Sequence, residues 1–246
     1  MNRWRPAARA VALALAVIAS VIGGRVAAQE QVDLELVLLA DASQSIDDGE
    51  IRFQRQGYAA AITHPDVLAA IAHGYAQRIA VTYVEWGDAS SQEVVVPWTI
   101  IDSPASAAAF AEALLAQPRR ASGPNAIGSA LAAAQALIEG NEIASTRRVI
   151  DLSADSAWSG GGVPIVQARA AALAAAIVIN GLAILCRDCA SGRPIDYDLE
   201  AAFAAFIIGG PGSFVITADG NRRFAEAVRR KLILEIADGR IVPDQG

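Results

Sequence analysis

Histidine and cysteine are scarce: two of each stand in 246 residues. His64 and His73, beside a proline and a glycine, lack the spacing of a metal-ligating pair and have no nucleophile in view that either would serve. No serine sits in a G-x-S-x-G elbow, so serine-triad hydrolysis is unsupported. The glycine runs Gly160–Gly162 and Gly209–Gly212 carry no Walker lysine, and no G-x-G-x-x-G follows the first apolar strand. Nucleotide binding is therefore not indicated. Past the amino-terminal segment, no run is long and apolar enough to span a bilayer.

What is present begins with a leader. Arg3, Arg5 and Arg9 precede an uncharged apolar stretch from Ala10 to Gly24, and Val26-Ala27-Ala28 supplies the small residues that a signal peptidase reads. The apolar stretch is shorter than the roughly 20 residues of a membrane-spanning helix. Residues 1–28 are thus expected to be a signal peptide cleaved at Ala28–Gln29, which predicts a periplasmic or secreted protein without stable membrane insertion. No cysteine lies near that bond, which excludes lipid attachment there. Loss of Arg3, Arg5, Arg9 and Arg25 without any acid moves the formal charge from −6 to −10. Such an acidic protein is a poor partner for nucleic acid or an anionic membrane surface.

The rest reads as alternating strands and helices. Leu34–Ala40 and Ile79–Trp86 are apolar enough to be strands buried on both faces. Glu93–Ile101, after a turn, suits an antiparallel edge strand. Arg148–Ser153, Gly181–Leu185 and Phe214–Thr217 complete the strands. Helices are expected from about Asp47 to His64, with Pro65 as the stop, then from Ser103-Pro104 to Gln117, and from the Pro118–Pro124 loop to Ile138. Three more are expected over Ile165–Ile177, Leu199–Phe206 and Asn221–Ile236. The pattern predicts one α/β domain over 34–237: a Rossmann-like, doubly wound, mainly parallel sheet with one antiparallel edge strand and helices on both faces. A short linker is expected at 29–33 and a polar tail at 238–246.

In such sheets ligands bind beyond the carboxyl ends of the strands. There the sequence places Asp41-Ala42-Ser43-Gln44-Ser45, then Asn125 in a loop entering a helix, and Asp155 after a later strand. Carboxylate, hydroxyl and amide oxygens without imidazole or thiolate suit a hard cation: Mg²⁺ first, with Mn²⁺ or Ca²⁺ as alternatives.

Asp41-x-Ser43-x-Ser45 resembles the opening motif of the metal-ion-dependent adhesion site of von Willebrand factor A domains. Asp155 is similar to that site's second acid, and Asn125 stands where the family has threonine, in a Gly123-x-x-x-Ile127-Gly128-x-Ala130-Leu131 frame. The resemblance covers Val32 to Ala237. Arg147–Ser153, Ile179–Ile184 and Ile208–Val215 further resemble an exported bacterial subgroup known as DUF1194. The resemblance implies a divalent cation held by Asp41, Ser43, Ser45, Asn125 and Asp155, and a protein partner that completes its shell with an acidic side chain. It implies no catalysis. Asn125 for threonine and Ser156 for the glycine usual after the acid depart from the pattern, so a metal-free scaffold stands as the alternative.

Three further features carry expectations. Cys186 and Cys189 fit a structural disulfide in an oxidising compartment, with a thiol–disulfide redox factor as the alternative. Asp151, inside an apolar strand, needs a buried donor such as a backbone amide or an arginine. Trp158 sits either on the rim of the site, against a partner, or under its own loop.

Overall fold

The computed structural model describes residues 30–185, 196–219 and 223–237. Its centre is a strand whose only polar residues are Glu35 and Asp41. Strand β2 (Leu34–Asp41) is buried at all eight positions. It pairs in parallel with β3 (Ile79–Trp86) on one side and with β6 (Arg148–Ala154) on the other. The six-stranded sheet runs β4–β3–β2–β6–β7–β8, where β4 is Gln92–Ile101, β7 Val178–Leu185 and β8 Val215–Asp219. Only β4 is antiparallel, as expected for the edge.

Side chains alternate between the two faces of each strand. Leu34, Leu36 and Leu38 join Ile79, Val81 and Tyr83 on one face. There α1 (Asp48–Ile62), α2 (Pro65–Ala72), α3 (Pro104–Ala116) and α7 (Phe224–Ile236) cover them with Tyr58, Ile62, Phe110 and Phe224. Val37 and Leu39 face the other way, with Ile150 and Leu152, under α4 (Ile127–Glu139), α5 (Ile165–Ala174) and α6 (Leu199–Phe206). A sheet covered on both faces explains strands that read as continuous apolar runs.

The chain leaves β2 towards β3 in one direction and later returns past it to β6 in the other. The strand order therefore reverses between β2 and β6, and this crevice at their carboxyl ends is where an open α/β sheet can accept a ligand.

Some local details differ from the expected pattern. Ahead of β2, β1 (Glu30–Val32) pairs in parallel with β5 (Ile143–Ser145), a three-residue contact that no local periodicity announces. Pro65 does not simply end a helix; it opens α2 at the first helical position, with the His64 imidazole capping the Asp66 N–H at 3.2 Å. Helix α5 ends at Ala174, and Ala176, with φ of 55°, turns the chain so that β7 starts three residues earlier than expected. Apolar Ile177 to Ile179 suits helix or strand equally, which is why the boundary misleads. Cys186, Cys189, the leader and the tail lie outside the described residues.

Candidate functional site

The last residue of β2 is Asp41, fully buried. Its Oδ1 accepts the Ser43 N–H at 2.8 Å, and Gln54 on α1 donates to its backbone carbonyl at 3.1 Å. The following turn is fixed to its neighbours by backbone bonds: Ala42 N–H to the Trp86 carbonyl (2.8 Å) and Gln44 N–H to that of Gly123 (2.9 Å). Beneath it Ala42, Ile46, Ile51 and Ala121 form a small apolar cluster. Asp47 then caps α1 in a reciprocal capping box with Glu50. Chain direction after Asp41 is thus set by backbone bonds, an apolar anchor and a cap, leaving the serine hydroxyls free to face one another. Ser43 Oγ and Ser45 Oγ lie 3.1 Å apart.

Asp155 follows β6 and is 9% exposed. It lies close enough to Asp41 for its charge to act on the Asp41 carboxyl. Burial, and then the charge of Asp155, push Asp41 up to about 7, against hydrogen bonds from Ser43 that pull it down. Burial also raises Asp155, while the Ser45 hydroxyl lowers it. Asp41, Ser43, Ser45 and Asp155 therefore form one connected group. Among the described residues neither acid has an ion-pair partner.

Asn125 reaches this group through the loop after Asp155. Its Nδ2 donates to Ser156 Oγ at 2.6 Å, and its backbone carbonyl accepts the Gly160 N–H at 2.5 Å. The two departures from the family pattern thus bond to each other. With its amide nitrogen so held, Asn125 Oδ1 is left buried without a hydrogen-bond partner, as is Asp41 Oδ2. The glycine frame has a steric cause. A Cβ on Gly128 would lie 2.0 Å from the Val163 carbonyl oxygen, so the start of α4 packs directly on the backbone of the 155–164 loop.

Trp158 lies on that same loop and is 63% exposed, its ring against Gly160. The neighbouring Ala157 N–H donates to the hydroxyl of half-exposed Tyr197 at 2.9 Å. This places an aromatic pair beside the crevice, and only Trp158 was singled out by sequence.

Asp151 has a partner other than the arginine or amide expected. The Lys231 ammonium lies 2.7 Å from its Oδ1 and also contacts Glu235, one turn on in α7. Asn180 donates to Glu235 Oε1 at 3.0 Å, and the Phe214 ring lies 5.3 Å from the ammonium. Lys231 is the chain's single lysine, so nothing local marked it as the mate of Asp151.

Among the described residues no three His, Cys, Asp or Glu side chains gather as a metal-binding group. Any cation at the crevice would rely on hydroxyl and amide oxygens beside the two acids. The donor chemistry fits a hard cation: two carboxylates are brought together without a cationic partner among the described residues, and one Asp41 oxygen and the Asn125 amide oxygen have no donor.

Comparison with known proteins agrees on the fold. Proximal thread matrix protein 1 (PTMP1) from the mussel byssus, solved with a zinc-occupied MIDAS motif, superposes with a TM-score of 0.58 at 15% identity, covering 85% of this chain and 49% of PTMP1. The pilus adhesin SpaC of Lactobacillus rhamnosus GG, in its open conformation, gives 0.55 at 15% identity over 85% of this chain and 30% of SpaC. The vWF domain of the type V pili tip protein Mfa5 of Porphyromonas gingivalis gives 0.53 at 10% identity, over 87% and 98% of the two chains. This chain spans about half the length of PTMP1 and less of SpaC. At these identities the likeness is one of fold. No curated protein matches the sequence. The family described as "Protein of unknown function (DUF1194)" matches residues 31–240. The chain therefore belongs to the DUF1194 family, built on a von Willebrand factor A fold.

Proposed function

We propose that this chain is an exported, non-catalytic binding module that engages a protein partner through a divalent cation. Asp41, Ser43, Ser45, Asn125 and Asp155 would hold the ion, some directly and some through water, with Mg²⁺ the first candidate and Mn²⁺ or Ca²⁺ alternatives. When bound, the cation would offer an open coordination position to a carboxylate of the partner, despite the protein's net negative charge. Trp158 would line the rim of that contact, since aromatics are enriched in protein interfaces.

The observation that carries this reading is electrostatic. Two buried carboxylates face each other with no cationic side chain paired to them among the described residues, and Asp41 Oδ2 and Asn125 Oδ1 lack a hydrogen-bond partner. A fold normally pairs or neutralises such groups, and a bound cation would do so here. The zinc-occupied MIDAS motif of PTMP1, the pilus adhesin SpaC and the pili tip protein Mfa5 support it by likeness of fold. Among the described residues no helix is long and apolar enough to cross a membrane, which is compatible with an exported module.

Calorimetric titration with Mg²⁺, Mn²⁺ and Zn²⁺ tests the site, with Asp41→Ala as control. Saturable binding that the variant loses is the expected result. Partner binding that persists in EDTA would sink the proposal. A metal-free scaffold is the second reading, because Asn125 and Ser156 stand where the resemblance has threonine and glycine. Absence of binding to any of the three ions would favour it.

A further inference from the structure

Arg119 lies in the polar loop between α3 and α4, a position with no sequence motif. Its side chain is 23% exposed, yet its guanidinium places all five N–H donors. Nε donates to the Ala121 carbonyl at 3.0 Å. One terminal nitrogen, Nη1, donates to the Ile46 carbonyl at 2.8 Å and to Asp48 Oδ1 at 3.3 Å. The other, Nη2, donates to the carbonyls of Ala42 (2.6 Å) and Ser43 (3.1 Å). Four of the five acceptors are backbone carbonyls, and three of those belong to the turn that carries Ser43 and Ser45.

That turn has no strand or helix to satisfy its backbone. Its amides go to Trp86, Gly123 and, for Ile46, back to Ser43. Three of its carbonyls, those of Ala42, Ser43 and Ile46, go to Arg119. The same residue holds Ala121, at the start of the segment leading to Asn125. We infer that Arg119 is a positioning residue that fixes the Ala42–Ile46 turn against the 121–125 loop, and so sets the spacing between the two serine hydroxyls and the asparagine oxygen. The inference rests on the cation-binding reading only for its effect on metal affinity.

Charge alone predicts the opposite sign. A guanidinium close to a cation site opposes cation binding, so deleting its charge without moving the turn would tighten the metal. Deleting a brace loosens it, and supporting residues around metal ligands commonly contribute 10–100-fold in affinity. Lysine keeps the charge but not the planar fork that reaches four carbonyls.

The experiment measures Mn²⁺ affinity by calorimetry and amide hydrogen exchange on the purified chain, for the wild type, Arg119→Gln, Arg119→Lys and Asp41→Ala. The expected result for Arg119→Gln is Mn²⁺ affinity lower by roughly tenfold or more, with faster exchange at Gln44 and Ile46 and unchanged protection in β2 and β6. Arg119→Lys should resemble Arg119→Gln rather than the wild type. Wild-type or tighter Mn²⁺ binding by Arg119→Gln, or unaltered exchange at Gln44 and Ile46, would overturn the inference. If the wild type binds no Mn²⁺, the cation reading falls, and exchange at those two amides decides the brace by itself. Should Arg119→Gln lose protection in β2, Arg119→Lys supplies the same comparison.

Discussion

Strand β6 carries two acids into the interior, and they meet opposite surroundings. Asp151, in mid-strand, faces Lys231 and Glu235 on α7. Asp155, just past the strand's end, faces Asp41 and serine hydroxyls. Burial raises both, and each has a second carboxyl nearby. The difference is the cation. Although Asp151 Oδ1, Asp151 Oδ2 and Glu235 Oε2 still lack a hydrogen-bond partner, the lower cluster contains its own ammonium, on α7. The upper pair has none among the described residues and sits at the open crevice. A carboxylate pair that the fold itself supplies with a cation reads as architecture. One that it leaves to an outside charge reads as a site.

The largest effect expected from this contrast is at Lys231. Lys231→Met leaves Asp151 and Glu235 buried together without a counter-charge, which should cost about 3–5 kcal/mol in urea unfolding. Adding Asp151→Asn and Glu235→Gln should recover most of it. A loss below ~1 kcal/mol would mean that the cluster is not a neutralised unit.

Asp41→Asn is the converse. Removing one of two uncompensated carboxylates should raise unfolding stability by on the order of 1–2 kcal/mol at pH 8 in EDTA. Stabilisation by added Mg²⁺ should vanish in the same variant. A loss as large as that at Lys231 would erase the distinction between the two regions.

The pH dependence sharpens it further. Burial, and then the charge of Glu235, push Asp151 up from 3.8 to about 7, with Lys231 pulling it back. The folded chain therefore keeps this proton longer than the unfolded chain does, and stability from this group falls as pH rises through that window. Unfolding free energies of the wild type minus those of Asp151→Asn should fall between pH 4 and pH 7 by roughly 1–2 kcal/mol. A flat difference would show that Lys231 fully offsets burial.

The smallest change is at Ser156. Ser156→Ala frees the Asn125 amide and should weaken Mn²⁺ by about tenfold, with stability within ~0.5 kcal/mol of the wild type. Equal Mn²⁺ affinity would show that the bond between them does not orient the asparagine oxygen.

The layered fold was legible because its signals are local. An unbroken apolar run marks a strand covered on both faces, and the order of runs gives a parallel sheet with an antiparallel edge. The residues chosen at Asp41, Ser43, Ser45 and Asp155 do meet, since the reversal of strand order between β2 and β6 brings those ends together. What stayed hidden depends on partners distant in sequence. Lys231 as the mate of Asp151, Arg119 as a clamp on carbonyls, and β1 against β5 leave no periodic trace. Asn125 and Ser156 were each visible as oddities, but their bond needed coordinates. Pro65 misled because the same fixed φ that halts one helix is suited to begin the next.

The pairing of β1 with β5 has a mechanical side. It fixes the entry to β2 at the amino end of the sheet, and the Arg147 guanidinium holds the last turn of α7 there through the Glu235 and Ile236 carbonyls. Both ends of the domain thus emerge at one pole, while Asp41 and Asp155 occupy the other, an eight-residue strand or roughly 25 Å away. The crevice therefore opens at the pole opposite Glu30 and Ala237, the first and last described residues of the domain.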